Sequence, residues 1–142
     1  MFIDSSMMRT NYLLEKGLDT ESLRRNVIAN NIANVDVPHF KRSEVNFESE
    51  LKRVIMEQQD ENAKLPALLS DTRHIPFFVP RDIHSVRHRI NLDYNTIYRN
   101  DGNNVDIEKE MVDAAKTTMR YNAFVTALNN NYKMLKIAIR TV

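Results

Sequence analysis

Hydrophobic residues recur through the C-terminal segment 101–142 in steps of four and three, which is the spacing of a heptad repeat. Turn-forming residues precede the repeat, and no glycine or proline interrupts it beyond Gly102. The pattern predicts one helix about 55 Å long, at 1.5 Å per residue. The predicted packing seam comprises Ile107, Met111, Ala114, Thr118, Tyr121, Val125, Leu128, Tyr132, Leu135, Ile139 and Val142.

The N-terminal segment 1–35 carries a narrower apolar stripe opposite a polar face, which predicts a second amphipathic helix that Pro38 ends. Because neither helix can bury its stripe alone, we expect the two to pair antiparallel. The predicted fold is therefore mainly α-helical, an antiparallel coiled coil of long terminal helices with a short irregular middle. The N-terminal stripe consists of Leu14, Leu18, Leu23, Val27, Ile28, Ile32 and Val35.

The segment 36–65 is predicted to combine a tight connector turn with a short amphipathic helix. This helix is expected to run from about residue 43 to residue 60, with Ser43 as its N-terminal cap. One of its faces is apolar and consists of Phe47, Leu51, Val54 and Ile55.

The segment 66–100 is predicted to be irregular, because prolines prevent a long helix. Two short stretches, 75–79 and 94–98, favour extended structure and would allow a small β-hairpin. The segment is too small to form an independent core. The prolines are Pro66, Pro76 and Pro80.

Several apolar residues of the C-terminal helix lie outside its seam, so a single partner helix cannot cover them all. A second apolar face on a rod-like helix pair implies contact with other copies of the chain or with other proteins. The alternative is a three-helix bundle with helix 43–60 as the third member. The residues outside the seam are Val112, Met119, Ala123, Phe124, Ala127, Met134, Ile137 and Ala138.

Composition excludes several classes of protein. The 142 residues include no cysteine and two glycines, which rules out disulfides, thiolate metal sites and glycine-rich phosphate loops. A net charge of +1 argues against nucleic-acid binding by bulk electrostatics. No apolar run approaches the ~20 residues of a membrane span. We expect neither an enzymatic activity nor a cofactor.

Two features of the middle segment are candidate binding sites. His84 and His88 have the four-residue spacing of a helical zinc site, but the local sequence is not a firm helix and lacks the glutamate of the zinc-protease motif. A modest basic patch has Asp71, Asp82 and Asp93 nearby, so we interpret it as a solvated surface or a contact for an acidic protein neighbour rather than for nucleic acid. The patch consists of Arg73, Arg81, Arg87 and Arg89.

Two motifs resemble those of bacterial flagellar rod and hook proteins. The run 29–42 (ANNIANVDVPHFKR) is similar to their N-terminal signature, and 101–106 (DGNNVD) followed by Glu110-Met111 is similar to the start of their C-terminal helix. In length and in its helix–middle–helix plan the chain resembles the proximal rod subunits. The family usually has Thr-Pro-Gly-Tyr at positions 37–40. His39 replaces the glycine, and histidine tolerates the left-handed backbone region better than most residues, so we expect the turn to persist.

The resemblance implies a structural subunit of the basal-body rod, with segments 1–35 and 101–142 in its axial core. Such subunits assemble helically with their own copies and with other rod proteins into the drive shaft around the export channel. The implied neighbours are the export gate, the basal ring and its rod adapter protein. The implied location is the basal body in the periplasmic space, reached through the flagellar type III apparatus, and the start of the chain does not resemble a cleavable signal peptide.

Three sets of residues are predicted to carry assembly. The first is the motif turn Asn30, Asn31, Ile32, Asn34, Asp36, Pro38 and Phe40. The second is the start of the C-terminal helix, Asp101, Gly102, Asn103, Asn104, Val105 and Asp106. The third is the part of the seam formed by Met111, Tyr121, Val125, Leu128, Tyr132, Leu135 and Ile139. The alternative function is that of a cytoplasmic helical adaptor or chaperone-like protein of similar size.

Overall fold

The structure, a computed structural model, describes residues 6–60, 71, 73–74 and 81–140. In chain order its elements are α1 (Ser6–Ala33), β1 (Ser43–Asn46), α2 (Glu48–Asp60), a 3₁₀-helix (Ile83–Ser85), β2 (Arg89–Leu92) and α3 (Ile107–Arg140). They divide between two compact units, one formed by Met1–Val45 with Ile90–Val142 and the other by Asn46–Arg89. No helix within the described ranges is long and apolar enough for a bilayer crossing.

The first unit is built on α1 and α3, which pack along each other in opposite directions. The predicted antiparallel pairing of two long terminal helices in a mainly α-helical chain is confirmed. The helix α2 belongs to the second unit, so the three-helix bundle is not the observed arrangement. The helix pair approaches closely at Gly17, where an added Cβ would lie 3.0 Å from Cε2 of Phe124. A residue without a Cβ therefore allows this crossing.

The face that α3 turns towards α1 matches the predicted seam only in part. Among the predicted positions, Ile107, Met111, Thr118, Tyr132 and Ile139 are exposed, and Val142 lies outside the described residues. Because α3 is apolar around much of its circumference, the hydrophobic pattern alone fits more than one rotation of the helix. The positions that become buried or half-buried are Glu110, Asp113, Ala114, Thr117, Tyr121, Phe124, Val125, Ala127, Leu128, Asn131 and Leu135.

A two-stranded sheet, β1 with β2, joins the connector after α1 to the segment that precedes α3. The predicted small hairpin is present, but β1 and β2 form it, and the stretch 94–98 lies in no strand. The Asp93 carboxylate accepts hydrogen bonds from the N–H groups of Asn95 and Thr96 at 3.1 and 3.3 Å and from Oγ1 of Thr96 at 2.7 Å. These bonds turn the chain after β2. The stretch 75–79 and the prolines 66, 76 and 80 lie outside the described residues.

The predicted helix from residue 43 begins later than expected, because 43–46 forms β1 and Ser43 is not a helix cap. The backbone of Ser43 is bound on both sides by the side chain of Asn31, at 2.9 and 3.0 Å. Val45 and Phe47 are both buried, and burial at every second residue is the strand pattern.

The second unit contains α2 and the 3₁₀-helix. The helical hydrogen bonds of α2 start with the N–H of Leu51 donating to the carbonyl of Phe47 at 2.9 Å. The predicted apolar face is confirmed, since Val54 is buried and Leu51 and Ile55 are half-buried. In the 3₁₀-helix, Ile83 is buried, and this element packs against α2.

Candidate assembly site

The region where α1 ends and α3 begins, residues 30–45 and 93–110, is referred to below as the polar corner. Its first fixed point is Asn31, whose side chain is completely buried near the end of α1. The amide nitrogen donates to the carbonyl of Ser43 at 2.9 Å and to Oε2 of Glu110 at 3.1 Å, and Oδ1 accepts from the N–H of Ser43 at 3.0 Å. One side chain thus ties α1, the connector and α3 together.

Asn103 is the second fixed point and is also completely buried. Its amide nitrogen lies 2.9–3.1 Å from the carbonyl oxygens of Asn34, Val35 and Val37, and its Oδ1 accepts from the N–H of Val105 at 2.7 Å. The carbonyls at the end of a helix lack intrahelical partners. Asn103 satisfies those that follow α1, and it therefore sets the path of the motif turn.

Asn104 binds the other side of the connector. Its Oδ1 accepts from the N–H of Arg42 at 2.7 Å, and its amide nitrogen donates to the carbonyl of Asp93 at 2.7 Å and to Oγ1 of Thr96 at 2.9 Å. The hydrogen bond from Thr96 lowers the pKa of Asp93, and the neighbouring N–H groups act in the same direction. Two consecutive asparagines therefore clamp opposite ends of the connector to the start of α3.

A buried ion pair lies beneath these amides. Nε of Arg42 donates to Oε1 of Glu110 at 2.5 Å, and Glu110 is fully buried in the first turns of α3. Arg42 also contacts Glu44 at 3.0 Å and Asp113 at 3.6 Å. Burial acts to lower the pKa of Arg42, but the hydrogen bonds and charges of Glu110 and Glu44 outweigh it and raise the pKa. A buried pair of this kind fixes geometry, and breaking one side leaves an uncompensated charge.

The turn itself contains the histidine that replaces the usual glycine. His39 has φ of 61°, so the expectation that it tolerates the left-handed region is confirmed. Its N–H donates to the carbonyl of Asp101 at 3.1 Å, and its ring packs on Gly102, where a Cβ would lie 2.8 Å from Nδ1. Gly102 also has a positive φ, of 80°, so glycine is needed there for both conformation and space.

Polar contacts continue along the helix pair and hold one antiparallel register. Each contact lies ten residues further along α1 than the previous one, while its partner lies eleven and then ten residues closer to the start of α3. The joined pairs are Asn11 with Asn131 at 2.7 Å, Glu21 with Arg120 at 3.8 Å, and Asn31 with Glu110 at 3.1 Å.

The middle contact of this register is incompletely satisfied. Glu21 is buried and pairs with Arg24 through Oε1, but its Oε2 has no hydrogen-bond partner among the described residues. On the rim of the pair, the hydroxyl of Tyr132 bonds Glu15 at 3.3 Å and Arg25 lies over the ring of Tyr121 at 5.3 Å.

The structure brings the motif turn and the start of α3 together, but the residues differ in how they take part. Asn31, Asn103, Asn104 and Val105 are buried, and Asp106 caps α3 by accepting from the N–H of Glu108 at 3.0 Å. Asn30, Asp36 and Pro38 are exposed, whereas Ile32, Asn34, Phe40, Asp101 and Gly102 are half-buried. Of the third set, Tyr121, Val125, Leu128 and Leu135 face α1, and Met111, Tyr132 and Ile139 are exposed.

Sequence reasoning missed Arg42 and Glu110 as a pair. It treated Arg42 as the end of the first motif and Glu110 as part of the second, with no contact between them. One signal was available, because Glu110 lies in heptad phase with Ala114, Thr117 and Tyr121, and a carboxylate at an inward position needs a cation.

The polar groups of the corner hold distant parts of the chain together. Its asparagine side chains form hydrogen bonds with backbone groups, and its central charged groups form an ion pair. Within the ranges that the structure describes, no three metal-ligating side chains converge. A helix pair locked by a saturated polar corner defines a structural protein, whose function depends on its shape and surfaces.

Comparisons with known proteins agree with this class. A profile of the family described as "Flagella basal body rod protein" matches residues 12–41. The flagellar basal body rod protein FlgB of Borrelia hermsii is 40% identical over 90% of this chain and 93% of its own length. FlgB of Bacillus subtilis is 34% identical over 89% of both chains, and FlgB of Escherichia coli is 29% identical over 84% of both.

Identity at this level over most of both chains shows common membership. The chain therefore belongs to the FlgB family of flagellar basal body rod proteins and is a structural subunit of the rod. This result does not favour the alternative of a helical adaptor or chaperone-like protein.

Proposed function

We propose that the subunit assembles helically with its own copies and with other rod proteins into the proximal drive shaft, which transmits torque and encloses the export channel. The observation that supports this is an apolar stripe on α3 that faces away from α1. Val112, Met119, Met134 and Ile137 are 53%, 64%, 66% and 60% exposed. Their spacing of seven, fifteen and three residues keeps them on one side of the helix.

A stripe of this length needs a long apolar partner. At 1.5 Å per residue, the turns from Val112 to Ile137 span about 37 Å, and no other helix of the first unit faces them. Neighbouring subunits supply helices of matching length and period. Because contacts spread along a helix share the load, a shaft built this way carries torque without concentrating it at one residue.

In this proposal α1 and α3 form the axial core, and residues 36–65 and 66–100 lie outside it. The polar corner sets the angle at which the connector leaves α1, and through it the motif turn and the start of α3 determine how subunits stack. The neighbours are other rod proteins, the export gate, the basal ring and its rod adapter protein. The subunit reaches the periplasmic basal body through the flagellar type III apparatus, and it has no enzymatic activity.

Met119→Glu tests the proposal, because it places a charge in the apolar stripe. Burying an unpaired carboxylate between subunits costs several kcal/mol. We expect loss of motility and of assembled rods, with the variant still exported. The matched control is Met56→Glu on α2, where the methionine is 53% exposed and lies outside the helix pair. Normal rods in the Met119→Glu strain would contradict assembly through this face. In a separate experiment, density for the chain in isolated basal bodies would show whether α1 and α3 line the export channel.

A further inference from the structure

The second unit contains a groove of about 350 Å³ between α2 and the segment 81–89. Its floor is apolar, since Val54 and Val86 are both buried. The lining residues are Glu50, Val54, Arg81, Ser85, Val86, Arg87, His88 and Arg89. The size suits one or two side chains of a partner rather than a whole helix.

Two of the charges around the groove are already neutralised. Arg81 binds Glu57 through two hydrogen bonds, from Nε at 3.0 Å and from Nη2 at 2.6 Å, and this pairing lowers the pKa of Glu57. Glu50 accepts from Nη2 of Arg53 at 2.8 Å. These four side chains hold one another in place and leave no net charge at this end of the groove.

The other rim is different. The side chains of Arg87, His88 and Arg89 are exposed and make no hydrogen bond or ion pair with the part of the chain that the structure describes. The aspartates that the sequence places nearby are occupied elsewhere, Asp71 by Arg73, Asp82 by the N–H of His84, and Asp93 by Thr96. Two guanidinium groups therefore lie beside an apolar floor without an acidic partner among the described residues.

The geometry points to a docking site for an acidic protein segment, in which an Asp or Glu binds Arg87 and Arg89 and an adjacent apolar side chain lies on Val54 and Val86. Guanidinium groups bind carboxylates through two parallel hydrogen bonds. The site goes beyond assembly through α1 and α3, because it lies wholly in the second unit and uses none of the residues of the helix pair.

A nucleic acid fits the groove less well. The chain has a net charge of +1, and two uncompensated arginines supply few phosphate contacts. The lining contains no Phe, Tyr or Trp ring on which a base could stack. A peptide carboxylate can pair with Arg87 and Arg89 while an adjacent apolar side chain packs on Val54 and Val86.

The test is an NMR titration of the full chain with a blocked peptide, Gly-Asp-Leu-Glu-Gly, read on the methyl signals of Val54 and Val86. We expect both signals to shift. We expect Arg87→Ala with Arg89→Ala to weaken binding by at least about tenfold, because two charged hydrogen-bond donors are lost. Replacing both arginines by lysine keeps the charge but removes the two-point contact, so an intermediate affinity is expected.

The matched control is Arg73→Ala, which removes an exposed arginine already paired with Asp71 and should leave the affinity unchanged. Three results would overturn the inference. They are no shift at Val54 and Val86 at millimolar peptide, equal binding of the Gly-Asn-Leu-Gln-Gly peptide, or displacement of the acidic peptide by a short oligothymidine that binds more tightly through the same arginines. The outcome is independent of rod assembly, which the Met119→Glu experiment tests.

Discussion

The two ends of the α1–α3 pair are held in different ways. At the polar corner, Asn31, Asn103 and Glu110 are buried and bonded, and an ion pair lies among them. At the opposite end, the last turns of α3 contain no buried residue among those described, and Asn131 and Tyr132 bond the buried Asn11 and the exposed Glu15 of α1. One helix pair therefore contains a fixed end and a lightly held end.

The difference shows where the chain's own contacts suffice to order it. Fixing a residue's backbone costs about 1–2 kcal/mol, which burial and satisfied polar groups must offset. The corner provides both burial and satisfied polar groups. Further along the pair, Oε2 of Glu21 is buried and has no hydrogen-bond partner among the described residues. We infer that the corner determines the angle of the helices and that neighbouring subunits complete the order of the far end.

The largest effect is expected from Glu110→Gln, which leaves Arg42 buried without its main counter-charge. Breaking one side of a buried ion pair typically costs about 3–5 kcal/mol. Urea unfolding followed by circular dichroism measures the loss. Glu108→Gln is the matched control, because it removes an exposed carboxylate from the same helical turn and loses only a favourable dipole interaction of about 0.3–1 kcal/mol. Equal losses in the two variants would show that the corner is not what stabilises this end.

A smaller loss is expected from Asn103→Ala, which removes the donor for the carbonyls of Val35 and Val37 and the acceptor for the N–H of Val105. A buried polar group left without a partner costs about 1–3 kcal/mol. Asn100→Ala changes an exposed asparagine of the same loop and should stay within about 0.5 kcal/mol. Thermal unfolding distinguishes the two, and a harmless Asn103→Ala would contradict its role in setting the motif turn.

The sequence was sufficient to predict the long helices of this fold, but not the rotation of α3 about its own axis. Apolar periodicity predicted α1 and α3, and the stripes that neither helix can bury alone predicted their pairing. The rotation of α3 was not predictable from apolar residues, because polar side chains such as Glu110, Thr117 and Asn131 occupy inward positions. What selects this rotation is a set of specific contacts, among them the close approach of Phe124 to Gly17, and these depend on three-dimensional fit.

The assembly site shows the same limit in another form. The asparagine-rich motifs could be recognised, and the left-handed His39 could be expected from its backbone preference. The hydrogen-bond partners of these amides could not be predicted. Asn103 bonds residues more than sixty positions away, and local spacing carries no information on that pairing. The strand β1 was missed for a related reason, since its partner β2 and the amide of Asn31 come from distant parts of the chain.

The smallest effect is expected at the lightly held end, and it gives the sharpest test of the contrast. Asn131→Ala removes a single part-buried hydrogen bond, to Asn11, and should cost about 0.5–1.5 kcal/mol. The same substitution at Asn31 removes three hydrogen bonds of a completely buried side chain, including the buried one to Oε2 of Glu110, and should cost about 1–3 kcal/mol. Hydrogen exchange on the free subunit should follow the same gradient, with amides of 106–117 protected far more than those of 128–140. If Asn131→Ala costs as much as Asn31→Ala, or if protection is uniform along α3, the two ends are equally stable and the far end does not depend on neighbouring subunits for its order.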